Sequence, residues 1–577
     1  MMSNCFRAPR GRHWGFRGLV VLLVGGLLGA GGTSSPSLQE TLRLRLQGPE
    51  AVENGEEAAT PGGRARDAVL HVYRDGKPDP KWTAPSGPTA QADSLIAVLR
   101  EADQDGLRPS DYHVATLDSL RHDLRRAATG DGSLDERQLA DFELLCTDAF
   151  LLYARHLLQG RVDPEEIVPT WTLDRRQGDL VQRLDEAVEQ GTIRSALDDL
   201  RPKQAGYQQL RRALQRYRDI AEAGGWPTVP DGPKLEIGVE HEQVEALRAR
   251  LRATGDLTAD ASDAPRSFGD TLRAAVVRFQ ERHGLEADGV VGPASRAALN
   301  VPVDRRIQQL EVNLERWRWL PQDLGTRHVR VNIAGFQLRV MEEGAEQLKM
   351  RVVTGRPYRQ TPIFSDQISY LAFSPYWNVP HSLATRDKLP AFQRNPDLVS
   401  QQGFEVFQGW GADARPLDPA AIDWASLSAR NFPYRLRQRP GPQNALGQVK
   451  FMFPNRHSVY LHDTPSQALF QRSARGFSSG CIRVERPVEL ATYLLRANEG
   501  WTPERVRRAM GQSQEQTVVL REKVPVHLLY WTAWEEDGQV QFRNDIYQRD
   551  GAVASALDAV PLDPRDRGEA GGARWSP

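Results

Sequence analysis

The spacing of apolar residues changes along this chain, and the changes divide it into blocks. From residue 68 to 232 the period is helical. Leu95, Val98 and Leu99 share a face. So do Phe142, Leu145, Ala149, Leu152 and Leu157, with Gly160 and then Pro164 closing that helix. Tyr207, Leu210, Leu214 and Tyr217 form another stripe. Residues 239–302 predict three shorter helices: one from Val244, Leu247 and Leu251, one from Leu272, Val276, Phe279 and Gln280, and one over Ala294–Leu299 after a turn at Asp288–Pro293. Leu310, Leu314 and Trp317 mark a connector helix ended by Pro321.

From residue 327 to 550 the period drops to two, the mark of half-buried strands. Val329, Val331 and Ile333 alternate, as do Phe336, Leu338 and Val340, with Ala334-Gly335 as the bend of a hairpin. Leu348–Thr354, Tyr370–Phe373 and Val449, Phe451 and Phe453 predict further strands. In Ser458–His462, Val459 and Leu461 point one way while Tyr460 and His462 point the other. Pro487, Val488, Ala491 and Leu495 predict a helix ending near Gly500. Val524–Asp550 predicts a strand, an Asp-Gly turn and a second strand that completes the sheet. The fold class expected is multidomain α+β: a helical region, a three-helix module and a mostly antiparallel β-sandwich. Residues 381–446, rich in Pro and Gly and holding Trp410 and Trp424, interrupt the strand pattern as an insertion long enough to cover a cleft.

Length and ends add context. A chain of 577 residues holds several domains. A formal net charge of −1 argues against a nucleic-acid binder. Arg7, Arg10, Arg12 and Arg17 precede the apolar run Leu19–Ala30, so residues 1–32 have the form of a signal peptide or a retained membrane anchor. That expectation places the protein outside the cytoplasm, and the resemblance given below implies the periplasm. Residues 33–67 have the composition of a flexible tether, and 563–577 of a disordered tail. Three cysteines make no disulfide framework. Cys5 precedes the apolar run. Cys146 lies in an apolar helix and is expected to be a buried thiol. Cys481 stands between Gly480 and a polar, basic run.

The stretch His462–Arg483, HDTPSQALFQRSARGFSSGCIR, gathers what a thiol nucleophile needs. His462 can take the proton of Cys481. Gly480 lets the backbone bend so that N–H groups, with Ser479 beside it, face an oxyanion. Ser478 and Arg483 add donors and positive potential. Tyr460 and Trp377 are candidates for lining the cleft or for core packing, and Arg483 for binding a carboxylate or for a structural ion pair. Zinc held by His457, His462 and Cys481 fits no usual ligand spacing, and no cofactor is called for.

These residues resemble the active-site signature of the YkuD-like L,D-transpeptidases, written as His, a spacer, then Ser-His-Gly-Cys-x-Arg. His462, Ser478, Gly480, Cys481 and Arg483 match it, while Ser479 stands where many members have a second histidine. The run VVRFQERHGLEADGVVGPASRAAL resembles the three-helix peptidoglycan-binding module. DGLRPSDYH, LLQGRVDPE and AGYQQLRRALQRY resemble the scaffold of the large Gram-negative periplasmic enzymes. The resemblance implies a capping subdomain at 381–446. It also implies a Cys481 thioester, a crosslink between third-position diamino acids of two stem peptides, peptidoglycan as partner, with other cell-wall enzymes as further candidates, and inactivation by carbapenems. An L,D-carboxypeptidase using water as acceptor, and a wall-binding scaffold protein without catalysis, stay open.

Overall fold

The computed structural model describes residues 37–46, 69–73, 79–129, 134–168, 171, 173–258 and 264–559. The expected signal or anchor, most of the tether and the C-terminal tail lie outside these residues. One part of the tether is ordered: Leu38–Leu46 is an α-helix, with Thr41 and Leu42 buried and Arg45 paired to Asp141 at 3.1 Å. Leu38 and Leu42 are one turn apart, which gives this short segment an apolar edge to bury.

The helical block is built on the long helix Glu136–Gln159, capped by Asp135, whose side chain accepts from the Arg137 N–H. It packs with Ala90–Arg100, Val114–Thr129 and Leu180–Gln190 around a core containing Leu95, Phe142, Phe150 and Leu157. Cys146 lies in that core, fully buried. The helix Ala205–Glu222 belongs elsewhere. Its Tyr207, Leu210, Leu214 and Tyr217 are buried with Leu310, Leu314 and Trp317 of the connector helix, in the same core as the C-terminal sheet. That connector runs from Val303 to Arg318, seven residues longer at its start than the apolar stripe alone indicated. It is tied to the helical block by buried polar groups. Arg318 donates to the Asp105 carbonyl at 2.6 Å and pairs with Glu315, while the Asp105 carboxylate accepts from Arg201, Tyr153 and Tyr207 and lies in an ion pair with Arg211. Buried charges persist where such partners satisfy them.

The three-helix module consists of Gln243–Ala253, Asp270–Arg282 and Pro293–Leu299 around Leu247, Leu272, Phe279 and Leu299. Gln280 closes its turn by donating to Asp288 and the Val290 carbonyl and accepting from the Gly289 N–H.

The strands of the C-terminal region are β1 (Arg327–Asn332), β2 (Gln337–Glu342), β3 (Ala345–Gly355), β4 (Phe364–Phe373), β5 (Val449–Met452), β6 (Leu461–His462), β7 (Gly476–Ser478), β8 (Ile482–Val484) and β9 (Gln516–Leu529). They form one nine-stranded sheet in the order β7-β3-β8-β6-β5-β4-β9-β1-β2. β2 also pairs with β3, so the order closes on itself. β3 makes this possible by its length: Ala345–Arg351 pairs with β2, and Val352–Val353 with β8. Pairings are antiparallel except β6–β8, β7–β3 and β9–β1. The region is thus β-rich and mostly antiparallel, as a single closing sheet. The hairpin Ala533–Glu536/Gln539–Phe542 does not complete it. It forms a separate two-stranded sheet, because β9 already fills the place between β4 and β1.

The insertion is a small domain rather than a loop. Trp377–Asn378, Tyr434–Gln438, Phe404–Gln408 and Arg415–Leu417 pair in that order. Short helices cover one face, around Phe392, Phe404, Trp424 and Leu436. Trp410 remains exposed at 63%. Tyr460 packs against both this core and that of the nine-stranded sheet. Among the described residues no helix is long and apolar enough to cross a membrane.

Candidate active site

The site forms where two short parallel strands meet. β6 and β8 pair Leu461 with Ile482 and His462 with Arg483. Leu461 and Ile482 are fully buried in the core. Alternation then sends Tyr460, His462, Cys481 and Arg483 to the other face. On that face Tyr460 lies across from Cys481, since the Ile482 N–H donates to the Tyr460 carbonyl at 3.1 Å. His462 is the diagonal neighbour of Cys481, one pair further along. The sheet therefore brings together four residues whose numbers differ by up to 23.

Cys481 is half-buried, and its thiol points toward the Ser458 carbonyl at 3.8 Å. Ser458 has φ +54°, which turns the chain just before Tyr460. Asn455 holds that turn, donating to the Phe453 and Val459 carbonyls and accepting from the His457 and Val459 N–H groups. Burial raises the Cys481 thiol above its ordinary pKa, and hydrogen bonds from Tyr460 together with the Arg483 charge pull it back. The Tyr460 phenol is pushed up in turn by burial and by Cys481. Its hydroxyl is thus a proton donor to sulfur over the whole working range.

His462 is 4% exposed, and its Nδ1 lies 2.6 Å from the Asp463 carbonyl. A carbonyl can only accept, so the proton sits on Nδ1 and Nε2 is the basic nitrogen. Burial and the Arg483 charge pull the imidazole down to about 3, against the carbonyls of Asp463 and Leu446. The resting pair is a neutral thiol and a neutral imidazole. The Tyr460 ring stands edge-on to His462, with centroids 5.8 Å apart.

The turn Ser478–Cys481 is held residue by residue. The Ser478 hydroxyl donates to the Cys481 carbonyl at 2.5 Å and accepts from the Gly480 N–H at 3.1 Å. The Gly480 N–H is thereby committed inside the turn, whereas the sequence had suggested it as an oxyanion donor. Among the described residues the Cys481 N–H has no protein acceptor. Gly480 has φ +118°, a conformation that strains any L side chain. The loop Gly355–Thr361 wraps this turn. The Arg356 N–H donates to the Ser478 carbonyl at 3.1 Å, Arg359 Nη1 to the Ser479 hydroxyl at 2.9 Å, and the Thr361 hydroxyl to the Gly480 carbonyl at 2.9 Å. Thr361 in turn accepts from the Gly355 N–H at 2.9 Å. A Cβ on Gly355 would lie 2.1 Å from the Arg359 carbonyl, so only glycine permits this loop. Arg359 continues to the insertion, forming a two-point pair with Asp387. Asp387 lies in a π-helical turn, Ala384–Lys388.

Trp377 stands apart from these residues. It is 8% exposed, packed in the core of the insertion against Phe404 with Lys388 over its ring. A large aromatic before the insertion carries no signal that separates core from cleft. Asp463, Arg359, Thr361 and Ser458 were not singled out from sequence. Asp463 and Ser458 act through backbone carbonyls, which leave no trace in residue identity. The Gly355–Thr361 loop lies more than a hundred residues from Cys481. Cavities of about 500 and 520 Å³ open in the helical block, lined by Arg176, Asp179 and Glu186 and by Arg155, Arg161 and Glu166. Neither contains a residue of the Cys481 site. No group of three or more His, Cys, Asp or Glu among the described residues is placed to hold a metal ion.

The fold and site define a domain that presents a cysteine, a histidine oriented by a backbone carbonyl, and a phenol on one sheet face. Residues 326–519 match the L,D-transpeptidase catalytic domain family, YkuD. Residues 240–299 match the family described as "Putative peptidoglycan binding domain", and 67–214 the scaffold domain family. Three parts of the chain thus resemble, in order, a scaffold domain, a peptidoglycan-binding domain and a YkuD-type L,D-transpeptidase catalytic domain. The curated Haemophilus influenzae protein "Putative L,D-transpeptidase" is 36% identical over 246 residues, 43% of this chain and 49% of that protein. The chain thus spans about half the length of that relative. A crystal structure of an L,D-transpeptidase from Xylanimonas cellulosilytica aligns at 16% identity over 52% of this chain and 99% of that one, with a TM-score of 0.17, too low to bear on the fold.

Proposed function

We propose that this protein crosslinks peptidoglycan in the periplasm, joining third-position diamino acids of two stem peptides through a thioester on Cys481. The observation that carries the reading is the shared sheet face of Cys481, Tyr460 and the carbonyl-oriented His462. His462 Nε2 takes the thiol proton as sulfur attacks the carbonyl of the third residue of a tetrapeptide stem. The Cys481 N–H and the Tyr460 hydroxyl donate to the oxyanion. His462 returns the proton to the leaving nitrogen, and D-alanine departs. The side-chain amine of a second stem then attacks the thioester, gives its proton to His462, and releases the thiol. Because thiol and imidazole rest neutral, the proton moves with substrate present rather than before it arrives.

Water as acceptor would make the same thioester a carboxypeptidase intermediate. Mass spectrometry of muropeptides incubated with purified protein separates the two. Transpeptidation gives dimers linked between third residues; trimmed stems alone would overturn it. A wall-binding protein without catalysis would form no covalent adduct with a carbapenem, whereas a Cys481 acyl adduct is expected. Peptidoglycan is the partner in this reading. The three-helix module supports it, and residues 1–32 supply export or a membrane anchor.

A further inference from the structure

The cations around Cys481 are not alike in their partners. Arg359 is paired with Asp387, Lys450 faces Glu515 at 3.5 Å, and Arg351 is paired with Glu485. Asp463 is occupied by the Gln448 N–H at 2.9 Å and by Gln467. Arg475 donates to the carbonyls of Val352, Arg472 and Phe336. Two guanidinium groups differ from these. The side chain of Arg483, across from His462 and two residues past the nucleophile, has no ion pair or hydrogen bond among the described residues, and its Nε is buried without a partner. Arg356 follows directly on β3, with its N–H on the turn at Ser478. Its side chain donates only to the hydroxyl of Tyr358, itself 73% exposed. The sheet places the two side by side, since Arg483 pairs with Val353 of β3, three residues before Arg356. Burial and then the Arg356 charge make Arg483 easier to deprotonate, while Cys481 has the opposite effect. Two neighbouring cations, one with a buried unsatisfied nitrogen, are unfavourable unless an anion joins them.

We propose that Arg356 and Arg483 form a carboxylate site beside Cys481, which holds the terminal carboxylate of the residue that leaves. This identification of the carboxylate rests on the acyl-transfer reading above. In a peptide with a free C-terminus, only a nitrogen and an α-carbon separate the scissile carbonyl from the terminal carboxylate. A carboxylate site this near the sulfur therefore selects the last peptide bond of a chain. Arginine suits the role because its planar fork matches a carboxylate at two points. Specificity for a terminal residue then comes from charge recognition, with no wall needed to block longer peptides.

The test uses two small alkylating agents on the full chain. In both, thiolate displaces iodide from carbon: an S–C bond forms and a C–I bond breaks. Iodoacetate carries a carboxylate on the reacting carbon and iodoacetamide does not. Their rate ratio cancels the thiolate fraction, so an altered thiol pKa does not enter. Wild-type protein is expected to favour iodoacetate with saturating kinetics, and acetate to compete with iodoacetate but not with iodoacetamide. Arg483→Gln and Arg356→Gln should each lower the ratio by about tenfold, the effect of losing one charge-assisted hydrogen bond. A wild-type ratio below one without saturation, no competition by acetate, or ratios unchanged in both variants would overturn the site. The wild-type acetate competition requires no variant to fold. A second arm compares a tetrapeptide stem with its C-terminal amide. Cleavage of both at equal kcat/KM would overturn the assignment to the leaving residue. No cleavage of either, with the alkylation result intact, would count against acyl transfer and not against the carboxylate site.

Discussion

Replacing Tyr460 by Phe removes one oxygen and keeps the ring that packs against both the catalytic core and the insertion. The hydroxyl it removes donates to Cys481, where it is one of the groups holding the thiol down against burial. A hydrogen bond to a charged acceptor contributes about 1.5–3 kcal/mol. At about 1.36 kcal/mol per pH unit, the thiol pKa should climb by about one to two. The thiolate present at pH 7 then falls about ten- to a hundredfold. A more basic thiolate is also a better nucleophile, with a Brønsted slope of about 0.4–0.5, and this recovers about three- to tenfold. The net expectation is a fall of about three- to tenfold in iodoacetamide alkylation at pH 7, with the whole pH profile displaced upward. The assay is the alkylation rate against pH, read by mass on the intact protein. A profile that stays in place or moves downward would refute the assignment of the phenol as a donor to sulfur, since removing a donor cannot favour the anion.

Two further outcomes are expected. His462 has an ordinary pKa of 6.5 when unfolded and about 3 when folded. Between those values the unfolded chain binds the extra proton, so stability is complete above about pH 6.5 and is lost as pH falls toward 3, by several kcal/mol in all. His462→Asn should flatten the fall of Tm between pH 7 and pH 4 relative to wild type, and an equally steep fall in both would contradict a neutral buried imidazole. Arg359 and Asp387 are partly exposed, so Asp387→Asn should change stability by less than about 1 kcal/mol. Hydrogen exchange should nonetheless speed up in both 384–394 and 478–481, because Arg359 joins those segments; a change confined to one of them would show that they are not coupled.

Much of the architecture was visible in periodicity. Stripes such as Phe142, Ala149 and Leu157 lie in the helical core. The alternation at Tyr460–His462 put Tyr460 and His462 on the face opposite Leu461, because the two-residue period of a strand is a local property of the backbone. Local pattern does not say which surface a stripe meets. The helix Ala205–Glu222 has the same kind of stripe as its neighbours, yet packs on the connector and the sheet. The hairpin after β9 has good strand sequence and joins no part of the main sheet. Leu38–Leu46 sits in a tether by composition and is a helix through contacts with Asp141 and the long helix beside it.

At the candidate site the groups present were legible from amino-acid order: a cysteine beside a glycine, a histidine on the strand face opposite Leu461, and an arginine two residues past the cysteine. Those follow from residue identity and short-range geometry. How they are poised depends on contacts between distant segments. Folding brings these about. It set the Asp463 carbonyl against Nδ1, the Tyr460 hydroxyl against sulfur, the Gly480 N–H inside its own turn, and Trp377 in the core of the insertion. It also brought Gly355–Thr361 around a turn more than a hundred residues away. Burial and long-range contacts set the charge state of the thiol and the imidazole. Both depend on which distant groups the sheet places within a few ångströms, which no spacing within one segment encodes.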